Sequence, residues 1–418
     1  MWNAVLLTVV FGIGYVCLMV VLRCLGKEMP SIRQRGTTFD RIMGIRAAAW
    51  GIGVLCAIYA VSLLYCAIWK DSISLEVFYK AWAHADAVHY RNLAEIGYRG
   101  LTENGRHLFL VFYPLYPWLV RLLHYLIPNY DLCGHLLSAL AYIAGCYVLA
   151  RLTTEEFGRR TCQMSLMLFS AYPFAFFFAG IYTESLFFLL SVTTFYLIRK
   201  HRYIPAGILG ALAALTRMQG ILLLFAGIAE YMISDKPIDR IRSRDRRSLL
   251  RDTWKKLLPL TLMPAGAGIY LWLNYAVEGD PFRFTFYQRD HWHQYFVPLP
   301  KCLSIIWEQI TARGDIKLIF TIWLPEFLVF LVSFMALIYA ARRMPATWTV
   351  YFLGCMLLNY SLSWPLSCGR YIACAFPLPV TAAVAFRRYP SVCYLAAVIS
   401  ALLQGAYLFA YLTGAPLY

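Results

Sequence analysis

Apolar runs follow one another along almost the whole sequence, and they constrain the fold more than any other feature. They fall at about 1–22, 47–69, 132–150, 161–180, 182–198, 204–216, 218–233, 257–277, 316–341, 346–366, 371–386 and 390–412. A helix needs roughly 20 apolar residues to cross ~30 Å of hydrocarbon, and most of these runs approach that length. Backbone polar groups in lipid must be satisfied within the segment, which favours helices. The expected fold is therefore all-α: a polytopic transmembrane helical protein with about 11–12 membrane segments, in one membrane-embedded domain over 1–418. Only 14% of residues are charged and mean hydropathy is +0.59, against about 25% charged in soluble domains. No stretch is left for a soluble domain.

The net charge of +16 would suggest nucleic acid in a soluble protein. Its distribution argues otherwise. If successive runs cross the membrane, one side receives 23–46, 151–160, 199–202, 234–256, Arg342–Arg343 and Arg387–Arg388, which together hold 25 of the 38 Lys and Arg. That asymmetry is the signature of a cytoplasmic face. No nucleic-acid partner is needed to explain it. The first run has no basic region before it and Arg23 after it, so it reads as a retained span with the N-terminus outside. The segment 234–256 reads as a basic cytoplasmic loop, a topology determinant that can also touch anionic lipid. The long loops at about 70–131 and 278–315 then lie outside.

Cysteine usage adds little. There are 12, with no C-x-x-C pair and no metal-ligand spacing; most read as small buried hydrophobes. Cys133, Cys302 and Cys368 fall near the outer face, where a disulfide is open. His84, Asp86 and His89 on one short helix converge poorly for a metal, and no metal or cofactor is expected.

Candidate chemistry gathers at the outer level. Asp86, His89 and Tyr90 fall within one helical turn, with Trp82 one turn earlier. The run Val111–Trp118 is aromatic and broken by two prolines, which suits a helix lying in the interface. Glu184 stands at the mouth of the run that follows it. The stretch 204–233 is too short for two crossings, so two half-helices meeting at 216–220 are expected, with Arg217 at the break. Intramembrane charges are costly and commonly functional, and broken helices often build binding sites. Arg370 precedes the run 371–386 at the same level. His291 and His293 read as solvated.

These segments, in order, resemble the GPI mannosyltransferase II (PIG-V-like) family. The resemblance rests on Asp86-Ala-Val-His89 through Gly97-Tyr98, Phe112-Tyr-Pro-Leu-Tyr-Pro117, Tyr172-Pro-Phe with Tyr182-Thr-Glu-Ser185, Ala213-Ala-Leu-Thr-Arg217, Gly279-Asp-Pro-Phe282, and Arg370-Tyr371 with Phe376-Pro377. It covers most of 80–380. It implies the GT-C class of membrane glycosyltransferases, with a long first outer loop. The reaction implied is transfer of a hexose, mannose in that family, from a polyprenyl-phosphate carrier to a glycan or glycolipid acceptor on the non-cytoplasmic face, with inversion. One departure concerns the acceptor: the family carries Trp before the loop aspartate, where this chain has Ala85, and Trp82 reaches the same spot only from a neighbouring turn.

The residues suit that chemistry. An acceptor hydroxyl attacking an anomeric carbon needs a base, and Asp86 can take the proton. Charge growing on a departing lipid phosphate would be stabilised by Arg217 and Arg370. Trp82, His89, Tyr90 and Glu184 complete the expected substrate site. Plainer readings stand beside these: Asp86 or Glu184 capping its own helix, Arg217 paired structurally with Glu184, and Arg370 anchored at the interface. The rival class, a transporter or flippase of a lipid-linked or small solute, expects pseudo-symmetric repeats and a midplane site, and neither is legible here. A scaffold would not explain charges from five segments gathered on one side. The location expected is the plasma membrane of a prokaryote or the endoplasmic reticulum of a eukaryote.

Overall fold

The structure, a computed structural model, describes residues 2–27, 37–242, 246–312 and 315–415. Residues 28–36 and 243–245 of the basic segments and 313–314 of the second long loop lie outside the described residues. The described chain is helical, with only two isolated β-bridges. Seven helices are long and apolar enough to cross a membrane: Trp2–Cys24, Arg41–Trp69, Tyr130–Phe157, Met218–Asp235, Leu250–Glu278, Ile316–Arg343 and Pro390–Leu412. The protein is a multi-pass integral membrane protein.

Shorter apolar helices fill in the remaining runs, and prolines explain several of their ends. The run 161–180 is one helix, Arg159–Ser170, followed by a turn of 3₁₀ helix at Ala175–Ala179. Pro173 disfavours the helical conformation in the residue before it, and the five turn residues are buried. The run 371–386 likewise divides into Cys368–Ala373 and Pro377–Ala385, with Pro377 at the first helical position. The expected break at 216–220 is present. Tyr203–Thr216 ends, Arg217 is extended (φ −157, ψ 150), and a 3₁₀ turn at Met218–Ile221 leads into Leu222–Asp235. Gly220 permits the fold-back, since a Cβ there would lie 2.3 Å from the backbone of Ala213 and Ala214.

The Glu184–Arg199 helix packs between Tyr130–Phe157 and Tyr203–Thr216, and its two ends are tied differently. At the basic end Arg199 pairs with Glu156 (2.6 Å) and with Glu230. Thr347 Oγ1 donates to Glu230 (2.6 Å) and Trp348 Nε1 to Glu156 (2.9 Å). The opposite end carries the long loops. There the first loop forms short helices at Leu75–Trp82, Asp86–Glu95 and Leu115–His124. The second loop is stitched to 361–364: Val297 N donates to Ser361 O (3.0 Å), Ser363 N to Tyr295 O (2.9 Å) and Tyr295 N to Ser363 Oγ (2.8 Å). All 12 cysteines are free thiols, so the disulfide left open at Cys133, Cys302 or Cys368 is not formed.

Candidate active site

Four of the charged residues singled out in the sequence meet in one chain of ion pairs. Arg370 Nη1 donates to Asp86 Oδ2 (2.8 Å) and Arg370 Nε to Glu184 Oε1 (2.5 Å). Arg217 Nη1 lies 2.9 Å from the same Glu184 Oε1 and donates to Thr183 Oγ1 at 2.9 Å. Each member comes from a different break in the helical pattern: the first loop, the start of Glu184–Arg199, the half-helix break and the Cys368–Ala373 turn. Aromatic rings line the two cations. The Arg370 guanidinium lies over Phe177 (4.7 Å) and Tyr182 (4.5 Å), and that of Arg217 over Tyr371 (4.5 Å). Such stacking adds to the electrostatic hold on a desolvated cation.

The chain is graded in exposure. The Glu184 side chain is 0% exposed, Arg370 2%, Arg217 9% and Asp86 28%. Asp86 is therefore the end open to an incoming molecule, and Glu184 the buried centre. Glu184 Oε2 has no hydrogen-bond partner among the described residues. The arginines, expected to stabilise a leaving phosphate, are both held by carboxylates. A guanidinium in so apolar a setting is costly unless paired. The plainer readings divide accordingly. Neither Asp86 nor Glu184 caps its helix, since neither helix has a side-chain cap bond. Arg370 is too buried to be an interface anchor. The Arg217–Glu184 pair exists.

Backbone strain sits beside Asp86. Ala85 has φ 48 and ψ −131, a region that favours glycine, and strain of that kind costs of order 1–3 kcal/mol unless the surroundings fix it. The surroundings here are two tyrosines. Tyr182 Oη donates to His84 O (2.9 Å) and Tyr411 Oη to Trp82 O (2.8 Å), and the two hydroxyls lie 2.8 Å apart. The segment before Asp86 thus hangs from the same Tyr182 that stacks on Arg370.

Three other expected residues are placed differently. Trp82, expected to contact substrate, is 1% exposed, packed edge-on to Tyr59 and His135 and tilted against Tyr411. Its helix turns it into the core, where it supports the wall. Tyr90 is buried against Phe112 and Tyr116, and its hydroxyl feels all four charges of the chain. His89 is half-buried between Phe109 (4.7 Å) and Phe112 (5.3 Å). Burial depresses its pKa below the usual 6.5, opposed by Asp86 and Glu103. His291 and His293 are exposed. Among the described residues no three His, Cys, Asp or Glu side chains form a group able to hold a metal.

Sequence reasoning gave no role to Thr183, Tyr371 or Tyr411, which carry no charge to mark them. It also passed over Glu326, an acid inside the run 316–341 and so detectable by the rule that flagged Arg217.

Residues 113–258 match the family model for dolichyl-phosphate-mannose-protein mannosyltransferases. The match spans 146 of the 418 residues (258 − 113 + 1) and includes Glu184 and Arg217. Two solved structures are similar to the chain at low identity. One is the crystal structure of ArnT from Cupriavidus metallidurans bound to undecaprenyl phosphate, 14% identical with TM-score 0.48 over 88% of this chain and 76% of that one. The other is the archaeal oligosaccharyltransferase AglB from Archaeoglobus fulgidus in complex with an inhibitory peptide and a dolichol-phosphate, 12% identical with TM-score 0.42 over 87% of this chain and 56% of that one. The chain thus spans just over half the length of AglB. No curated protein matches the sequence.

Proposed function

We propose that the protein is a membrane glycosyltransferase of the GT-C class, transferring a hexose from a polyprenyl-phosphate carrier to a lipid-linked or cell-surface glycan on the non-cytoplasmic face. The observation that carries this reading is the Asp86–Arg370–Glu184–Arg217 chain, with its base-bearing end open. The partial family match and the ordered PIG-V-like motifs support it, and they favour mannose as the sugar.

The charges suggest how the site works. At rest, two guanidiniums are balanced by two carboxylates. A donor phosphate entering beside Arg370 adds negative charge, and one carboxylate must yield. Glu184 is fully buried and shared by both arginines, so it stays. Asp86 is partly exposed and holds Arg370 through one contact, so it lets go. Phosphate then takes the Nη1 that Asp86 vacates, and Asp86 turns to the acceptor hydroxyl. The acceptor oxygen bonds to the anomeric carbon and its proton passes to Asp86. The carbon–oxygen bond to phosphate breaks with its electron pair on the phosphate. Protonation keeps Asp86 from reclaiming Arg370 as charge grows on the leaving group. The test is release of labelled mannose from polyprenyl-phosphate mannose into a lipid or glycan product by the purified protein, with water-only release as control. Absence of transfer with this and other polyprenyl-phosphate hexoses would reject the assignment.

A further inference from the structure

We infer that Glu326, together with Tyr172, is a positioning residue that aims Arg370. This rests on the proposed function above and adds two residues that touch neither Asp86, Glu184 nor Arg217 in any hydrogen bond described. Glu326 belongs to the Leu324–Arg343 helix and is 2% exposed, yet it has no ion-pair partner among the described residues. Burying a carboxylate without a counter-ion is costly unless hydrogen bonds compensate. Here they come from the backbone: Glu326 Oε2 accepts from Gly369 N at 2.7 Å. The carbonyl of the same residue accepts from Tyr172 Oη, also at 2.7 Å. Both polar groups of Gly369, the residue before Arg370, are therefore held by side chains from two other segments, one buried and one half-buried. A Cβ on Gly369 would come within 2.8 Å of the Phe174 ring, so packing fixes the third side of the turn. Tyr360 Oη donates to Glu326 O (3.0 Å) and steadies the helix turn that carries the acid. With its backbone fixed on three sides, Arg370 can reach Asp86 and Glu184 from one rotamer.

The experiment uses the full chain in detergent and undecaprenyl phosphate as the probe, read by direct binding. Variants are Glu326→Gln, Glu326→Leu, Tyr172→Phe, Arg370→Gln and the Tyr172→Phe/Arg370→Gln double. Glu326→Gln keeps an oxygen for the Gly369 N–H and should bind the carrier as wild type does. Glu326→Leu and Tyr172→Phe should weaken carrier binding by roughly tenfold, the equivalent of one hydrogen bond to a charged group. A residue acting through Arg370 has no further effect once Arg370 is gone, so the double variant should bind like Arg370→Gln alone. Unchanged carrier affinity in Tyr172→Phe, or additive losses in the double variant, would overturn the inference; Tyr172→Phe decides even if Glu326→Leu does not fold. Absence of carrier binding by the wild type would reject the functional reading and this inference with it.

Discussion

Asp86 and Arg370 hold each other at 2.8 Å, and the glycosyl transfer proposed for this site requires them to part. Asp86→Asn should therefore bind undecaprenyl phosphate more tightly than wild type, because Arg370 loses an anionic competitor. Equal or weaker binding in a titration of the purified variant would show that phosphate does not compete with Asp86. Glu184 is the member whose loss should be most damaging to the fold. Breaking a buried pair costs about 3–5 kcal/mol, and Glu184→Gln leaves two guanidiniums without that anion. Arg217→Gln leaves Glu184 still paired with Arg370, so it should melt closer to wild type. Thermal melts giving the opposite order would place the structural weight on Arg217. His89 gives a pH signature. Its pKa is depressed in the fold, so the unfolded chain takes up protons first, and stability falls as pH drops through the usual 6.5 and below. His89→Gln should flatten that acid slope in melts across the range. At this scale Asp86, Glu184, Arg217 and Arg370 were legible because charges stand out in an apolar chain. The Arg217–Glu184 pair was legible as one reading of the two charges, but the pairing of Arg370 with Asp86 and Glu184 was not, since partners as far apart as 284 positions leave no periodic trace. The burial of Trp82 was not legible either, because an amphipathic ring near the outer level suits the interface and the core equally well in sequence.

Helix breaks decide where those side chains can meet. The fold-back at 216–220 was legible from length alone: 30 residues between basic loops do not make two crossings. Its geometry depends on Gly220, and Gly220→Ala would drive a methyl into the backbone of Ala213 and Ala214. Overpacking of this kind costs typically 1–3 kcal/mol; here the obstacle is backbone, so a lowered melting temperature and lost carrier binding are expected together. Ala85 runs the other way. Ala85→Gly should relieve the strain at φ 48 and leave the fold as stable or more so, and a fall in melting temperature would mean that this strain is not stored there. The breaks near Pro173 and Pro377 were also written in the sequence, as prolines inside apolar runs, but apolar length outweighed them in the reading.

At the scale of the whole molecule, long loops and site residues occupy one end of the bundle and the Arg199–Glu156–Glu230 cluster the other. By the positive-inside rule, the proposed orientation has the first end outside. In a background with native thiols blocked, an impermeant reagent added outside should label a cysteine at Thr102 and spare one at Ser243. The reverse pattern would put the site in the cytoplasm. The central claim is that this site moves a sugar from a polyprenyl phosphate with Asp86 as base. The most direct measurement follows radiolabelled polyprenyl-phosphate mannose into glycan or lipid product with the reconstituted wild type and Asp86→Asn side by side. Wild type should transfer label, and the variant should lose about 10²–10⁴-fold in turnover while still binding the carrier. No transfer by wild type, or a variant retaining more than about a tenth of its turnover against that expected loss, would contradict it.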